Sequence, residues 1–182
     1  GDDKKRWQVT NFVPGIDFQK GLSISNWNPK FTFSGPIKKE RVWFFNALGL
    51  NYNQNVINEI KNGIDRTHTW DAANFNRIQI NLNPRNVLTG SLVINYFEAP
   101  KSGLSYLQPP ETTLDKRARR YFGNIQDQIF IDSGTVLSFA YARYSSFVRE
   151  VPQGHELLKI RPLGWSGNAT TDAKSWGGRH QF

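Results

Sequence analysis

The densest cluster of charge in this chain is the stretch Lys116–Arg120, which reads Lys-Arg-Ala-Arg-Arg. Arginine and lysine bind phosphate oxygens through charge and hydrogen bonds, so this stretch could contact RNA or another polyanion. The alternative is the solvated face of a helix, and we favour it for a short charge run. The candidate nucleic-acid contacts are the cations of this stretch and of the N-terminal segment: Lys4, Lys5, Arg6, Arg117, Arg119 and Arg120.

Recognisable catalytic and metal-binding patterns do not occur in the sequence. The three histidines, His68, His155 and His180, have no metal-ligand spacing. The chain contains no cysteine, no serine in a Gly-x-Ser-x-Gly context and no glycine-rich phosphate loop. We therefore predict a protein that is not an enzyme, with no catalytic residue, no metal ligand and no cofactor.

Six tryptophans are spread along the chain, mostly near loops. Tryptophan can stack on sugars, so four of them are candidates for a glycan-binding surface: Trp27, Trp70, Trp165 and Trp176. Scattered tryptophans are more often anchors of a core or an interface, and we favour that role. The triplet Asn168-Ala169-Thr170 is also an N-glycosylation acceptor pattern.

Length and charge limit the class of protein. At 182 residues the chain can form one domain with its own core. Its net charge of +8 favours an anionic partner, or marks a protein that is merely basic. No apolar run reaches the roughly 18–20 residues of a membrane-spanning helix, and no segment resembles a signal peptide. Because the chain starts at Gly1 and contains no methionine, either it was produced by proteolytic processing or its first residue is a remnant of cloning, and we favour processing.

The elements that would position these residues are short apolar or alternating runs. Such runs predict strands at eight places: 31–33, 42–50, 78–82, 91–97, 129–131, 136–144, 157–163 and 175–182. Two further segments indicate short helices. Residues 53–62 place Val56, Ile57 and Ile60 on one helical face, and residues 113–122 follow a threonine that could cap a helix.

Eight strands, with helices in the second and fourth gaps, predict an all-β fold. The plan is that of an eight-stranded antiparallel jelly-roll β-sandwich over residues 31–182. Residues 1–30 carry isolated aromatic anchors between glycines, prolines and asparagines. They predict an extended N-terminal arm that lies on the surface of its own domain or of a neighbour.

Two stretches of the sequence resemble the jelly-roll capsid proteins of picornavirus-like RNA viruses. Ile78–Pro100 has an alternating strand, a short turn and a Gly-Ser-Leu-Val strand that ends near proline, and it is similar to the fourth and fifth strands of that family. Gln128–Phe147 is similar to the sixth and seventh strands, which end in an aromatic-rich turn. The sequence departs from the family at Ala140-Tyr141, where Pro-Tyr is common, and at the Gly177-Gly178 pair of the last strand.

The resemblance implies a viral structural protein. The chain would be a capsid subunit, cut from a polyprotein, that assembles into an icosahedral shell and resides in the virion. Its partners would be other capsid subunits and, through its basic residues, genomic RNA. Gly1 would be the new N-terminus left by a viral protease.

A bacterial surface lipoprotein or secreted β-sandwich is the rival prediction. The opening sequence GDDKK resembles the short polar tether that follows a lipid-modified cysteine. Such a protein would act as an adhesin or glycan-binding module, with the four tryptophans named above contacting sugar. The precursor sequence upstream of Gly1 distinguishes the two predictions.

Overall fold

The structure, a computed structural model, describes residues 4–167 and 172–182 of the chain. It is an antiparallel β-structure, and within those ranges its one helical element is a single turn of 3-10 helix at Pro110–Thr112. The prediction of an all-β antiparallel fold is therefore confirmed. Gly1 and the triplet Asn168-Ala169-Thr170 lie outside the described residues.

Short strands stand at both ends of the chain, and five strands in its middle are much longer. In chain order the strands are β1 (Arg6–Thr10), β2 (Gly15–Asp17), β3 (Ser23–Trp27), β4 (Lys30–Lys38), β5 (Val42–Val56), β6 (Arg66–Asn83), β7 (Asn86–Ser102), β8 (Leu114–Phe130), β9 (Val136–Pro152), β10 (Lys159–Arg161), β11 (Gly164–Ser166) and β12 (Ala173–Gln181).

Each of the strands from β4 to β8 pairs with the next one along the chain. The main sheet has the order β1-β4-β5-β6-β7-β8-β9-β12, with β3 paired to the far end of β5 and β2 paired to β3. Strands β10 and β11 form a separate two-stranded hairpin. A jelly roll instead pairs strands that are distant in sequence. The finer prediction of an eight-stranded jelly roll is therefore not confirmed.

The two predicted helices are wrong. Residues 53–56 continue strand β5, and residues 114–122 lie in strand β8. The first segment stays extended because β5 pairs along its length with β6, down to Val56 opposite Arg66. Strand β8 is held on both sides, by β7 and by β9, and this pairing outweighs the helix preference of its lysine, arginine and alanine residues.

The two ends of the sheet differ in the length of their connections. At one end the chain turns tightly at residues 39–41, 84–85 and 131–135. Asx-type bonds support two of these turns: Arg85 N donates to Asn83 Oδ1 at 2.8 Å and Gly134 N donates to Asp132 Oδ1 at 2.9 Å. At the other end the connections are longer: residues 57–65, residues 103–113, and the segment between β9 and β12, which contains the β10–β11 hairpin.

A partly buried lysine, Lys20, connects the first of these long connections to the N-terminal segment. Lys20 Nζ donates to the carbonyl oxygens of Ile57 (3.3 Å), Asn58 (3.1 Å) and Ile60 (2.9 Å). It also forms an ion pair with the buried carboxylate of Asp65 at 3.1 Å. Burial acts to raise the pKa of Asp65, but the bond from Lys20 and two backbone amides bring that pKa below its ordinary value.

The sheet encloses little apolar volume of its own. Among the described residues the buried apolar side chains are Ala99, Leu104 and Ala118, and many large apolar side chains on the long strands are at least one-third exposed. A domain of this size would ordinarily bury a sizeable core. No helix in the described part is long and apolar enough to cross a membrane.

Candidate functional site

The strand register assigns every side chain of the main sheet to one of two faces. Residues directly opposite each other in an antiparallel pair share a face, and neighbours along a strand alternate. Ile78 lies opposite Phe44 on one side and opposite Gly90 on the other, so these positions share one face. The next residue, Gln79, lies on the other face.

The face that contains Ile78, which we call the apolar face, carries aliphatic and aromatic side chains across the strands from β5 to β9. Its apolar members include Val42, Phe44, Leu48, Leu50, Ile78, Ile80, Leu88, Leu92, Ile94, Tyr121, Ile125, Leu137, Phe139 and Tyr141. Leu92, near its centre, is 42% exposed. Charged side chains interrupt this face at Asp127 and Arg143, and further charged side chains lie on it toward the end with the long connections.

The opposite face, which we call the polar face, has a different composition. One row across it runs through Arg77, Ser91, Asn124 and Ala142. Aromatic side chains also occur here, such as Phe45 and Phe75 on neighbouring strands at 5.9 Å between ring centroids. Other rows of this face carry large apolar side chains, among them Trp43, Val93 and Phe122, so the two faces differ in degree. No other strand of the described chain packs over either face.

Five aromatic rings lie on the apolar face near the end with the long connections. They occupy two adjacent rows of cross-strand pairs, and we call them the aromatic belt: Tyr52, Trp70, Tyr96, Phe147 and Trp176. Tyr52 packs on Trp70 with ring centroids 4.7 Å apart, and Phe147 packs on Trp176 at 4.5 Å. Trp176 is nevertheless 76% exposed.

Basic side chains occupy the same two rows on strands β8, β9 and β12. We call this group the basic cluster: Arg117, Arg119, Arg149 and Lys174. Arg117 lies directly opposite Arg149, and Arg149 lies directly opposite Lys174. The cluster therefore concentrates positive charge beside the aromatic belt. Like charges in directly opposed positions repel each other.

Carboxylates hold two members of the basic cluster in place. Arg117 Nε donates to Glu98 Oε1 at 2.9 Å, and Tyr96 Oη donates to the other oxygen of Glu98 at 2.5 Å. The bond from Tyr96, together with the charge of Arg117, lowers the pKa of Glu98 against the opposing effect of partial burial. Arg149 forms a similar pair with Asp172 at 3.1 Å.

Replacing Tyr96 with phenylalanine should raise the pKa of Glu98, because it removes the strongest interaction that favours the ionised carboxylate. A carboxyl group whose pKa is lowered by folding stabilises the fold at pH values above its ordinary pKa. This stabilisation is lost as the pH falls through the lowered pKa. The variant should therefore lose less stability on acidification than the parent chain. Carboxyl ¹³C NMR titration measures the shift, and Tyr121→Phe on the same face is the control. An unchanged Glu98 titration in Tyr96→Phe would contradict the bond.

Several polar side chains on the apolar face bond to one another. Asn46 Nδ2 donates to Asn76 Oδ1 at 2.7 Å, Asn76 donates in turn to Asn74, and Asn74 Nδ2 reaches the carbonyl of Ala47 at 3.5 Å. Near the edge of the sheet, Tyr141 Oη and His180 Nδ1 share a hydrogen bond of 2.6 Å. These pairings reduce the cost of removing the groups from water.

The six predicted nucleic-acid contacts do not form one surface. Lys4, Lys5 and Arg6 lie at or just before β1, and four strands separate β1 from β8. Within β8, Arg117 and Arg119 point to the apolar face, whereas Arg120 lies on the polar face. Because strand side chains alternate, a run that would be one basic surface on a helix is divided between two faces.

The four tryptophans proposed for glycan binding are also dispersed. Trp27 lies in β3, where its Nε1 donates to the carbonyl of Phe12 at 2.7 Å. Trp70 and Trp176 share the aromatic belt, but β7, β8 and β9 separate their strands, which places them roughly 19 Å apart across the sheet. Trp165 lies in the β10–β11 hairpin.

Comparison with protein-family models, with characterised proteins and with solved structures gives no match to this chain. The surface must therefore be interpreted from its own geometry. Within residues 4–167 and 172–182, no three histidine, aspartate or glutamate side chains are grouped so that they could hold a metal ion. The basic cluster and the aromatic belt were not predicted from the sequence as units, because their members are brought together only by the strand register.

Proposed function

We propose that this chain forms a lipid-facing sheet of a cell-surface protein, with the apolar face against the hydrocarbon of a bilayer and the polar face against water. The observation that carries the proposal is the series of exposed aliphatic and aromatic side chains on the apolar face, among them Ile78, Leu92, Ile125 and Phe139. A sheet face that stayed in water would ordinarily be polar. The proposal lies closer to the predicted bacterial surface protein than to the predicted capsid subunit.

The dimensions of the apolar face suit a bilayer. From Val42 to Tyr52 the chain advances about 33 Å along β5. A strand tilted by about 40° would then span about 25 Å along the membrane normal, which is the height of the lipid-facing band of membrane strands. The aromatic belt lies at one end of this span. Tryptophan and tyrosine favour the boundary between hydrocarbon and headgroups.

The two ends of the sheet suit the two sides of a membrane. Tight turns at one end and long connections at the other are the usual arrangement of membrane-embedded antiparallel strands. The aromatic belt and the basic cluster lie toward the end with the long connections. That end would face the exterior.

Hydrocarbon also sets a requirement at the two edges of the sheet. Strands β1 and β12 are the outermost in the sheet order, and unpaired backbone groups are costly in lipid. The proposal therefore requires that further strands of the same assembly pair with these edges. Polar side chains in lipid must likewise be hydrogen-bonded, and Asn46, Asn76 and Asn74 on the apolar face are bonded to one another.

A cysteine scan along β6 tests the proposal. The chain has no native cysteine, so Arg77→Cys, Ile78→Cys, Gln79→Cys and Ile80→Cys each carry a single spin label. After reconstitution into phosphatidylcholine vesicles, labels at 78 and 80 should collide with oxygen, which concentrates in hydrocarbon. Labels at 77 and 79 should collide with a water-soluble nickel chelate. A uniform pattern along the four positions, or protein that does not float with the vesicles, would sink the proposal.

The capsid subunit is the second candidate. The observation that favours it is the same uncovered apolar area, because subunits of a shell bury such surface against one another. In that case labels at positions 78 and 80 would be shielded from both oxygen and nickel, and the purified chain would form particles of uniform size without lipid. Binding to other capsid subunits, contact with genomic RNA and residence in a virion are proposed only under this second candidate.

A further inference from the structure

The four cations of the basic cluster lie on the apolar face of the sheet, toward the end with the long connections. We propose that this cluster binds the phosphate groups of anionic lipids. The inference deepens the proposed function and rests on it, because it takes the apolar face as the lipid-facing one. Strands β8, β9 and β12 bring the four cations together.

Charge at the cluster is incompletely balanced within the described chain. Arg117 pairs with Glu98 and Arg149 pairs with Asp172. Asp115, the next side chain on this face of β8, accepts a bond from the backbone amide of Lys101 at 2.9 Å. Four cations thus share three carboxylates, and three of the cations are directly opposed across neighbouring strands. An anion placed over them would relieve their repulsion.

The arginines are oriented in a way that suits phosphate. Glu98 bonds Arg117 through Nε, which leaves its two terminal nitrogens as donors for a second, bidentate partner. The Arg119 guanidinium lies 5.9 Å from the ring centroid of Tyr96, a cation–π contact that fixes it beside the belt. The side chains of Arg117 and Arg149 are 53% and 40% exposed, so both are accessible to a headgroup.

A lipid rather than a soluble phosphate is the expected occupant because of what adjoins the cluster. The belt residues Phe147 and Trp176 lie in the row next to Arg149 and Lys174. A ligand whose phosphate contacts the cations would therefore place its remaining bulk on aromatic and aliphatic side chains. Acyl chains match that surface, and basic residues near a membrane surface are known to select anionic lipids.

The test measures lipid selectivity in the reconstituted chain. Spin-labelled phosphatidylglycerol and spin-labelled phosphatidylcholine are compared for the fraction of lipid that the protein immobilises. The parent chain should prefer phosphatidylglycerol by about fivefold or more, and 0.5 M salt, at roughly a 4 Å screening length, should reduce the preference. The variant Arg117→Gln/Arg149→Gln/Lys174→Gln should show a ratio near one.

Two controls separate the possible outcomes. Removing three cations from the polar face, in Arg77→Gln/Arg120→Gln/Arg179→Gln, should leave the preference intact. The milder Arg119→Gln/Lys174→Gln, which disturbs neither ion pair, should lose part of it even if the triple variant fails to fold. Immobilised lipid with equal ratios in the parent chain would overturn this inference alone. Absence of immobilised lipid of either kind would overturn the proposed function.

Discussion

Replacing Leu92 with arginine should prevent stable insertion of the sheet into vesicles. Leu92 lies near the centre of the apolar face, opposite Asn76 on β6 and Gly123 on β8. An arginine that faces lipid near the midplane of a bilayer destabilises a membrane strand by about 2–4 kcal/mol. That amount is a large fraction of the stability of an ordinary domain. Urea titration of the reconstituted protein measures the loss.

The matched control is Thr89→Arg on the same strand. Thr89 lies on the polar face between Gln79 and Gln126, so an added cation there remains in water. We expect its unfolding free energy to stay within about 0.5 kcal/mol of the parent, as for other surface substitutions. Equal losses in the two variants would argue against lipid on the apolar face.

Replacing Lys20 with methionine should release the connection between β5 and β6. Methionine keeps most of the side-chain volume but removes the ammonium group that bonds three carbonyl oxygens and the buried Asp65 carboxylate. Leaving that carboxylate without its cation in a buried site is costly. Amide hydrogen exchange over residues 57–65 should become faster by about tenfold or more, because a bond to a charged group is lost.

Lys30→Met is the comparison for this effect. Lys30 is an exposed lysine on β4, and its replacement should leave exchange in residues 57–65 unchanged. Exchange in the β7–β8 pairing, far from the substitution, should also be unchanged in both variants. If Lys20→Met left the exchange of residues 57–65 at the parent rate, the lysine would not be what orders this connection.

The strands were predictable where the hydrophobic period was clear. Alternation over Ile78–Leu82 predicted a strand, and β6 contains it. The prediction of a helix over residues 53–62 is wrong, because Val56, Ile57 and Ile60 would share a helical face only if strand β5 ended before them. Instead β5 continues to Val56, and the turn that follows is closed by Ile57 N bonding Asp65 O at 2.8 Å. Local propensity could not reveal that pairing.

The candidate site was harder to predict than the strands. Arg117 and Arg149 are distant in sequence, and Lys174 is more distant still, yet the register places them side by side. A single residue of slippage would move any one of them to the polar face. The sequence did show the alternation of β9, with Leu137, Phe139 and Tyr141 on one side. It could not show which face of each neighbouring strand joins that side.

The strictly consecutive pairing of β4 to β9 has a consequence for how such a chain can form and change. Every long strand finds its partner in the segment made just before it, so the contacts are closed by nearby turns and need little long-range search. The sheet can grow at its newest edge, one hairpin after another. For the same reason a hairpin such as β7–β8 is a natural unit of gain or loss. Its removal would narrow the sheet while the remaining strands kept their order.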